Sequence, residues 1–124
     1  MHTVLKLALA AAGAAALALP AAAQPSGSAP CFLTRDMRNH TVGDDHTMYF
    51  DVGGRSVYRA VFSNNCLAGS TSSDPIVLRD RGGTGRICKP IELDVGLRGN
   101  RCIVESLTQL TPAEVAALPR KVKP

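Results

Sequence analysis

The chain has 124 residues, a formal net charge of +4 at pH 7, no Trp and only five aromatic residues. Removing residues 1–23, which read as an export signal, leaves 101 residues that carry 13 Lys and Arg against 10 acids, or +3. This length fits one domain. The charge is too small to indicate nucleic-acid binding, and we expect no nucleic-acid partner.

The first 23 residues have the three parts of a cleaved signal peptide. Lys6 supplies the positive region, the stretch Leu7–Leu19 is almost pure Ala and Leu, and Ala21–Ala23 offer small residues for cleavage before Gln24. A membrane-spanning helix is the alternative, but it needs roughly 20 apolar residues and this stretch has 13. The sequence therefore predicts a periplasmic or secreted protein with no membrane span after cleavage.

After the signal, residues 24–30 read as a flexible leader rich in Pro, Ser and Gly. The first strong structural signal is a β-hairpin formed by residues 46–52 and 55–62, with Gly53 and Gly54 as a two-residue turn. That turn would place Tyr49 opposite Tyr58 and Phe50 opposite Val57. Apolar side chains would then lie on both faces, which favours a small barrel or sandwich over an open one-sided sheet.

Further short strands follow the hairpin. Residues 67–74 read as a surface loop, 75–79 as a strand and 80–85 as a tight turn, with a short strand through Cys88. The strict alternation over residues 91–97 predicts a half-buried strand, and residues 102–107 form the last one. We expect a single, mainly β domain over residues 31–119, a small disulfide-stapled barrel or sandwich of five to six strands.

The C-terminal region changes character. Thr111, Pro112 and Glu114 match a helix capping box, which predicts a short C-terminal helix that ends at Leu118. Residues 120–124 form a basic tail, which we expect to fray.

The four cysteines all lie downstream of the signal. An even number in a small exported chain predicts two disulfides. The spacings are 35, 22 and 14 residues, so no Cys-x-x-Cys redox or zinc motif is present. Sequence alone leaves three connectivities open. Our hypothesis pairs Cys31 with Cys102, tying the first strand to the last, and Cys66 with Cys88, closing the central loops.

Several segments together resemble an uncharacterised domain-of-unknown-function family of small exported four-cysteine bacterial proteins. The matching segments are Cys31-Phe32-Leu33, Asp44 to Tyr49, Val57 to Ala60 leading to Cys66-Leu67, Arg86-Ile87-Cys88, Arg101 to Val104 and Leu110 to Pro119. The chain departs from the family pattern at residues 39–42, where members often carry an aromatic residue. The resemblance implies an exported, disulfide-bonded domain and implies no activity.

Candidate chemical groups are few. Asp44, Asp45 and His46, with His40 nearby, are weak candidates for a metal site, and a polar turn is the alternative. Residues 80–86 are rich in glycine but lack the Lys-Ser/Thr of a phosphate-binding loop, which favours a turn. Glu92 and Asp94 would lie on the wet face of one strand. Five arginines near predicted turns and strand edges could form a binding surface or merely a solvated one: Arg55, Arg59, Arg79, Arg81 and Arg86.

No nucleophile elbow, metal motif or other catalytic constellation stands out, so we predict no enzyme and no cofactor. The leading hypothesis is a noncatalytic periplasmic binding or accessory module with an envelope or secreted protein as its partner. One alternative is an inhibitor of a secreted hydrolase that uses loops 67–74 and 80–86. Another is a metal-binding or thiol-redox protein.

Overall fold

The computed structural model describes residues 30–124. The predicted signal peptide and leader residues 24–29 lie outside the described residues. The strands are β1 (Phe32–Leu33), β2 (Met37–Val42), β3 (Thr47–Val52), β4 (Ser56–Phe62), β5 (Ile76–Asp80), β6 (Arg86–Ile87), β7 (Leu93–Leu97) and β8 (Asn100–Gln109). One helix, α1 (Pro112–Ala117), follows them, and short 3-10 turns span Thr34–Asp36, Pro90–Glu92 and Arg120–Val122.

Six of the strands form one antiparallel sheet in the order β2-β3-β4-β8-β7-β5. This sheet curls into a half-barrel, and the two-residue strands β1 and β6 pair as a separate small sheet. The predicted mainly β, disulfide-stapled fold with a short C-terminal helix is therefore confirmed. Strand β2 escaped prediction because it is an edge strand of mostly polar residues that buries only Thr41.

The core lies against one face of the curled sheet. Alternation places Leu93, Val95 and Leu97 of β7 inward, each at most 2% exposed, and leaves Asp94 and Gly96 outward. Strand β8 carries one extra residue where it faces Val61 and Phe62, and this bulge lets both Val104 and Leu107 face the core although they are three residues apart.

The predicted hairpin is present, but its predicted register is wrong by one residue. Phe50 lies opposite Tyr58, and Tyr49 lies opposite Arg59. The reason is a three-residue loop: Gly53 and Gly54 both have positive φ, and Arg55 joins them so that Val52 pairs with Ser56. Phe50 and Tyr58 therefore share the buried face, and the expected two-sided apolarity is wrong. The sheet covers its core by curling instead.

The predicted disulfide pairing is also wrong. The bonds join Cys31 to Cys88 and Cys66 to Cys102. Because Phe32 pairs with Ile87 across β1 and β6, Cys31 and Cys88 are cross-strand neighbours with Cα atoms 4.2 Å apart.

The second disulfide follows from the pairing of β4 with β8. The chain leaves β4 alongside β8, where the Asn64 side chain donates to the Arg101 carbonyl oxygen (2.8 Å) and accepts from the Ile103 amide (2.8 Å). This clamp brings Cys66 beside Cys102, with Cα atoms 5.3 Å apart. Neither pairing can be read from cysteine spacing, because both depend on which strands become neighbours.

Helix α1 forms as the capping box predicts. The Thr111 hydroxyl accepts from the Glu114 amide (3.2 Å), and the Glu114 carboxylate accepts from the Thr111 amide (2.7 Å). The tail beyond it does not fray as expected. Val122 is only 7% exposed, and the buried Thr41 hydroxyl donates to its carbonyl oxygen.

Carboxylates fix the turns around this sheet. Asp80 accepts from the amides of Gly82 (2.8 Å) and Gly85 (2.6 Å), which confirms the glycine-rich segment as a turn. Glu92 accepts from the Cys88 (2.6 Å) and Lys89 (2.9 Å) amides. Glu92 therefore ends a 3-10 turn. The sequence had placed Glu92 with Asp94 on the wet face of one strand, and that prediction is wrong.

These hydrogen bonds make the fold sensitive to acid. For Asp80, partial desolvation raises the pKa, but the hydrogen bonds from Gly82, Gly85 and Thr84 outweigh it and the net pKa is lowered. The Cys88 amide, followed by the Lys89 amide, lowers the pKa of Glu92. The Thr111 amide, followed by its hydroxyl, lowers the pKa of Glu114.

We expect the thermal midpoint to fall as the pH drops below about 4.5. Groups whose pKa is lowered by folding stabilise the protein above their unfolded pKa, here the ordinary values of 3.8 for Asp and 4.5 for Glu, and this stabilisation is lost as the pH falls through the folded values. Circular dichroism melts between pH 7 and pH 2.5 measure it. The variant Glu92→Gln should melt lower at pH 7 and lose less on acidification, whereas an unchanged midpoint down to pH 3 would contradict the expectation.

Candidate functional site

An arginine-lined groove of about 320 Å³ crosses the outer face of β5, β7 and β8. The strand register builds it in two rows. One row runs from Val77 through Gly96 to Arg101, and the next runs from Arg79 to Asp94. Ile103 pairs with Asp94 and lies beside the groove, outside its lining. The remaining lining residues come from the entry to β5, from the β7–β8 turn and from the start of β8: Pro75, Arg98, Gly99 and Asn100.

Gly96 forms the low point of this face. Its neighbours along β7 alternate strictly, so a side chain at this position would project outward between Val77 and Arg101. A Cβ atom there would lie 3.7 Å from the Val77 Cβ and 3.8 Å from the nearest backbone oxygens, which are ordinary contact distances. The fold therefore has room for alanine, and a glycine inside a strand costs stability. The missing side chain keeps the groove open.

Arg98 lies beside the same groove and, like Gly96, is a residue type that its position in the backbone does not favour. It occupies the first position of the two-residue turn between β7 and β8 and has a φ of 52°, the only positive φ of a non-glycine residue in the range 30–124. Gly99 follows with a φ of 81°. Turns with two positive φ values favour Asn-Gly, so arginine is a strained choice there. One guanidinium nitrogen, Nη1, donates to the Gly69 carbonyl oxygen (3.0 Å), which holds the side chain.

The charge of the groove is predominantly positive. Arg79, Arg98 and Arg101 line it, and Asp94 is its one acid. The Arg101 Nε lies 3.2 Å from the Asp94 Oδ1, with the arginine side chain 58% exposed and the aspartate 19% exposed. Each guanidinium carries five N–H donors, and these contacts use only one of them on Arg98 and one on Arg101.

The chemistry that this arrangement supports is recognition of an anion. Guanidinium groups present planar forks of donors that match carboxylate or phosphate oxygens. Apolar surface flanks the charges, since Val77 is 50% and Ile103 is 53% exposed. A partner with acidic groups beside apolar ones would complement both features.

The sequence-predicted metal candidates form a turn. The Asp44 carboxylate accepts from the His46 amide (2.8 Å), and the His46 ring nitrogen Nδ1 lies 3.0 Å from the Phe62 carbonyl oxygen. A carbonyl only accepts, so Nδ1 carries the hydrogen. The His40 ring bonds elsewhere, to the Asp74 carbonyl oxygen (3.1 Å). Within residues 30–124 no three His, Cys, Asp or Glu side chains are placed to hold a metal ion together.

The five arginines singled out from sequence do not form one surface. Arg79 lines the groove, whereas Arg55 and Arg86 line a separate hollow beside the Cys31–Cys88 disulfide. Arg59 is on the outer face of β4, where its charge lowers the pKa of Glu114 after the Thr111 hydrogen bonds. Sequence reasoning missed Arg98 and Arg101. Their only local signal was an Arg-Gly pair at a turn that prefers Asn-Gly.

Comparisons of the chain with protein-family models, curated proteins and solved structures find no match. Among residues 30–124, no helix has the length and apolar character needed to cross a bilayer. All four cysteines are joined in disulfides.

Proposed function

We propose that the protein is a noncatalytic binding module of the periplasm or the external medium and that the groove at Gly96 recognises an acidic segment of an exported protein. The carrying observation is the convergence of three arginines on a depression that the fold could have filled at no steric cost. Two disulfides fit an oxidising compartment, as the predicted signal peptide and the family resemblance do.

A binding role is also supported by how the reactive groups are used. The rings of His40 and His46 bond to main-chain carbonyls, and Asp44, Asp80, Glu92 and Glu114 accept from amides. These are groups that fix turns. The arginines of the groove, in contrast, keep most of their donors open to a ligand.

The direct test uses hexaglutamate as the probe and hexaglutamine as its neutral control, each titrated into isotopically labelled protein and followed by amide NMR shifts. Hexaglutamate should shift the amides of Gly96, Arg98 and Arg101 and bind more weakly as salt is added. The variant Arg98→Asn replaces a strained residue by one the turn prefers, so it should keep or raise stability. Binding should nevertheless weaken about two- to fivefold, the effect of losing one exposed ion pair.

Two further variants sharpen the test. Gly96→Ala should leave the fold intact and weaken binding by raising the floor of the groove. Arg81→Gln removes an exposed arginine that does not line the groove and should leave binding unchanged. Equal shifts from the two peptides, or weakening by Arg81→Gln but not by Arg98→Asn, would refute the proposal.

A second candidate, inhibition of a secreted hydrolase, is favoured by one observation. The turn after β5 is exposed and rigid, since Asp80 fixes Gly82, Thr84 and Gly85 and a disulfide follows at Cys88. Preorganised loops bind with a small entropic cost. The other predicted inhibitory loop, residues 67–74, is instead tied to β2 through the Val42 amide and the His40 ring. A screen of lysozymes and proteases with Asp80→Asn as the loosened control tests this candidate.

A further inference from the structure

The two disulfides differ in their exposure. Cys66 and Cys102 are 7% and 0% exposed, so the bond between them is sealed in the core. Cys31 is exposed and Cys88 is half-buried, so the other bond lies at the surface. Exposed disulfides are the labile ones, because a thiolate must reach a sulfur atom in order to attack it. The fold therefore carries one protected bond and one accessible bond.

A hollow of about 380 Å³ lies in front of the accessible bond. Cys31 lines this hollow together with the apolar residues Leu33 and Val52, whereas Cys88 lies outside the lining. A thiolate that enters the hollow meets the Cys31 sulfur first, and Cys88 is then the leaving group. The hollow shares no lining residue with the groove at Gly96, so this site goes beyond the proposed function.

The accessible bond also fastens the first strand of the domain. Strand β1 has two residues and pairs only with β6. Next to it, the Thr34 amide donates to the Gly85 carbonyl oxygen (2.9 Å). The Tyr58 hydroxyl donates to the Pro30 carbonyl oxygen (2.8 Å), and the Tyr58 ring lies 4.7 Å from the Phe32 ring, centroid to centroid. The disulfide is the only covalent tie between β1 and β6, so opening it leaves a two-residue ladder and these few contacts.

We propose that the Cys31–Cys88 disulfide exchanges with an external protein dithiol and that its reduction releases β1 from β6. A thiolate of the dithiol attacks the Cys31 sulfur, a new S–S bond joins the two proteins, and Cys88 departs as a thiolate. The second thiol of the dithiol then attacks its neighbouring sulfur and frees Cys31. The dithiol loses two electrons and becomes a disulfide, and its two protons end on Cys31 and Cys88.

The choice of a protein as the reductant rests on the proposed compartment. A bacterial periplasm is kept oxidising by enzymes and not by a buffer of small thiols, so reducing equivalents reach an exported protein through protein dithiols. The protected bond joins the segment after β4 to β8 within the six-stranded sheet. That sheet therefore keeps its own disulfide when β1 is released.

The first experiment treats the oxidised chain from Gln24 onward with dithiothreitol under native conditions. Free thiols are capped with N-ethylmaleimide at intervals, and both bonds are followed by peptide mapping. Cys31 and Cys88 should be capped at least about tenfold faster than Cys66 and Cys102. The buried bond is the matched control, since it lies in the same molecule and becomes accessible only when the core opens. Equal rates for the two bonds would mean that Cys31–Cys88 opens only when the domain unfolds, and would overturn the proposal.

The second experiment uses reduced thioredoxin whose second active-site cysteine is replaced by serine. Without that cysteine the mixed disulfide is not resolved, so thioredoxin stays attached to the sulfur that it attacked. The adduct should map to Cys31, with Cys88 capped by N-ethylmaleimide. An adduct on Cys88 would contradict the direction of attack. A bond that dithiothreitol reduces but on which thioredoxin forms no adduct would exclude a protein dithiol as the reductant.

Amide hydrogen exchange tests the release of β1. It is measured on the oxidised chain and again after selective reduction, when mapping shows Cys66–Cys102 still closed. The Thr34 amide should exchange at least about tenfold faster in the reduced chain, whereas the amides of β7 should keep their protection. Unchanged protection at Thr34 would show that β1 stays in place without its disulfide, and loss of protection in β7 would show that the whole sheet opens. Either result would refute a local release.

Discussion

Replacing Cys66 and Cys102 together by alanine is expected to lower the free energy of unfolding by about 4 kcal/mol. The bond joins residues 36 apart, and in the chain-entropy account a loop of that length restricts the unfolded chain by about this amount. The loss falls on β8, the ten-residue strand between β4 and β7, where Cys102 is fully buried. Urea unfolding followed by circular dichroism measures the change.

The same variant tests the connectivity. With Cys31 bonded to Cys88, removal of the other pair leaves no free thiol, and a thiol titration of the denatured variant should read zero. The hypothesis drawn from the sequence, which joined Cys31 to Cys102 and Cys66 to Cys88, would instead leave Cys31 and Cys88 without their partners and yield two free thiols. Two free thiols, or an unchanged free energy of unfolding, would contradict the structure.

The sequence predicts best those elements that depend only on residues close together in the chain. The alternation of Leu93, Val95 and Leu97 with polar or small residues identifies β7 and its buried face, because side chains of a strand alternate sides. The Thr111 and Glu114 pair identifies the start of α1, because both halves of a capping box lie within four residues. Neither inference needs knowledge of a distant residue.

The parts that sequence cannot predict depend on long-range pairing. Strand β1 has two residues and no periodicity, yet its pairing with β6 decides the partner of Cys31. Strand β2 lies at the edge of the sheet, needs no continuous apolar face, and so shows no alternation. A cysteine pattern cannot reveal either strand.

The candidate site also has features that are visible in the sequence and features that depend on long-range strand pairing. Gly96 in a strand and Arg98 in a turn are local exceptions that a reader of the sequence can notice. Their meaning appears only when β5 and β8 flank β7 and bring Arg79 and Arg101 to the same depression. Some residues do not suit their local backbone conformation, and no packing contact explains them. At such positions a protein loses stability in favour of a function.

The last prediction tests the register of the β3–β4 hairpin. Replacing Phe50 by alanine is expected to lower the free energy of unfolding by about 3–5 kcal/mol, since a fully buried aromatic side chain is lost and a cavity remains. Phe50 faces the core between β2 and β4, opposite Tyr58. Urea unfolding is again the measurement, and tyrosine fluorescence gives an independent probe because the chain lacks Trp.

Val57→Ala is the control that distinguishes the two registers. A two-residue turn at Gly53 and Gly54 would place Val57 opposite Phe50 on the same face, so both substitutions would be costly. In the observed register Val57 lies opposite Asp51, on the face away from the core, and is only half-buried. Its replacement should therefore cost about 1 kcal/mol or less. A cost for Val57→Ala equal to that of Phe50→Ala would mean that the hairpin pairs one residue away from the register described, because only that shift turns Val57 toward the core.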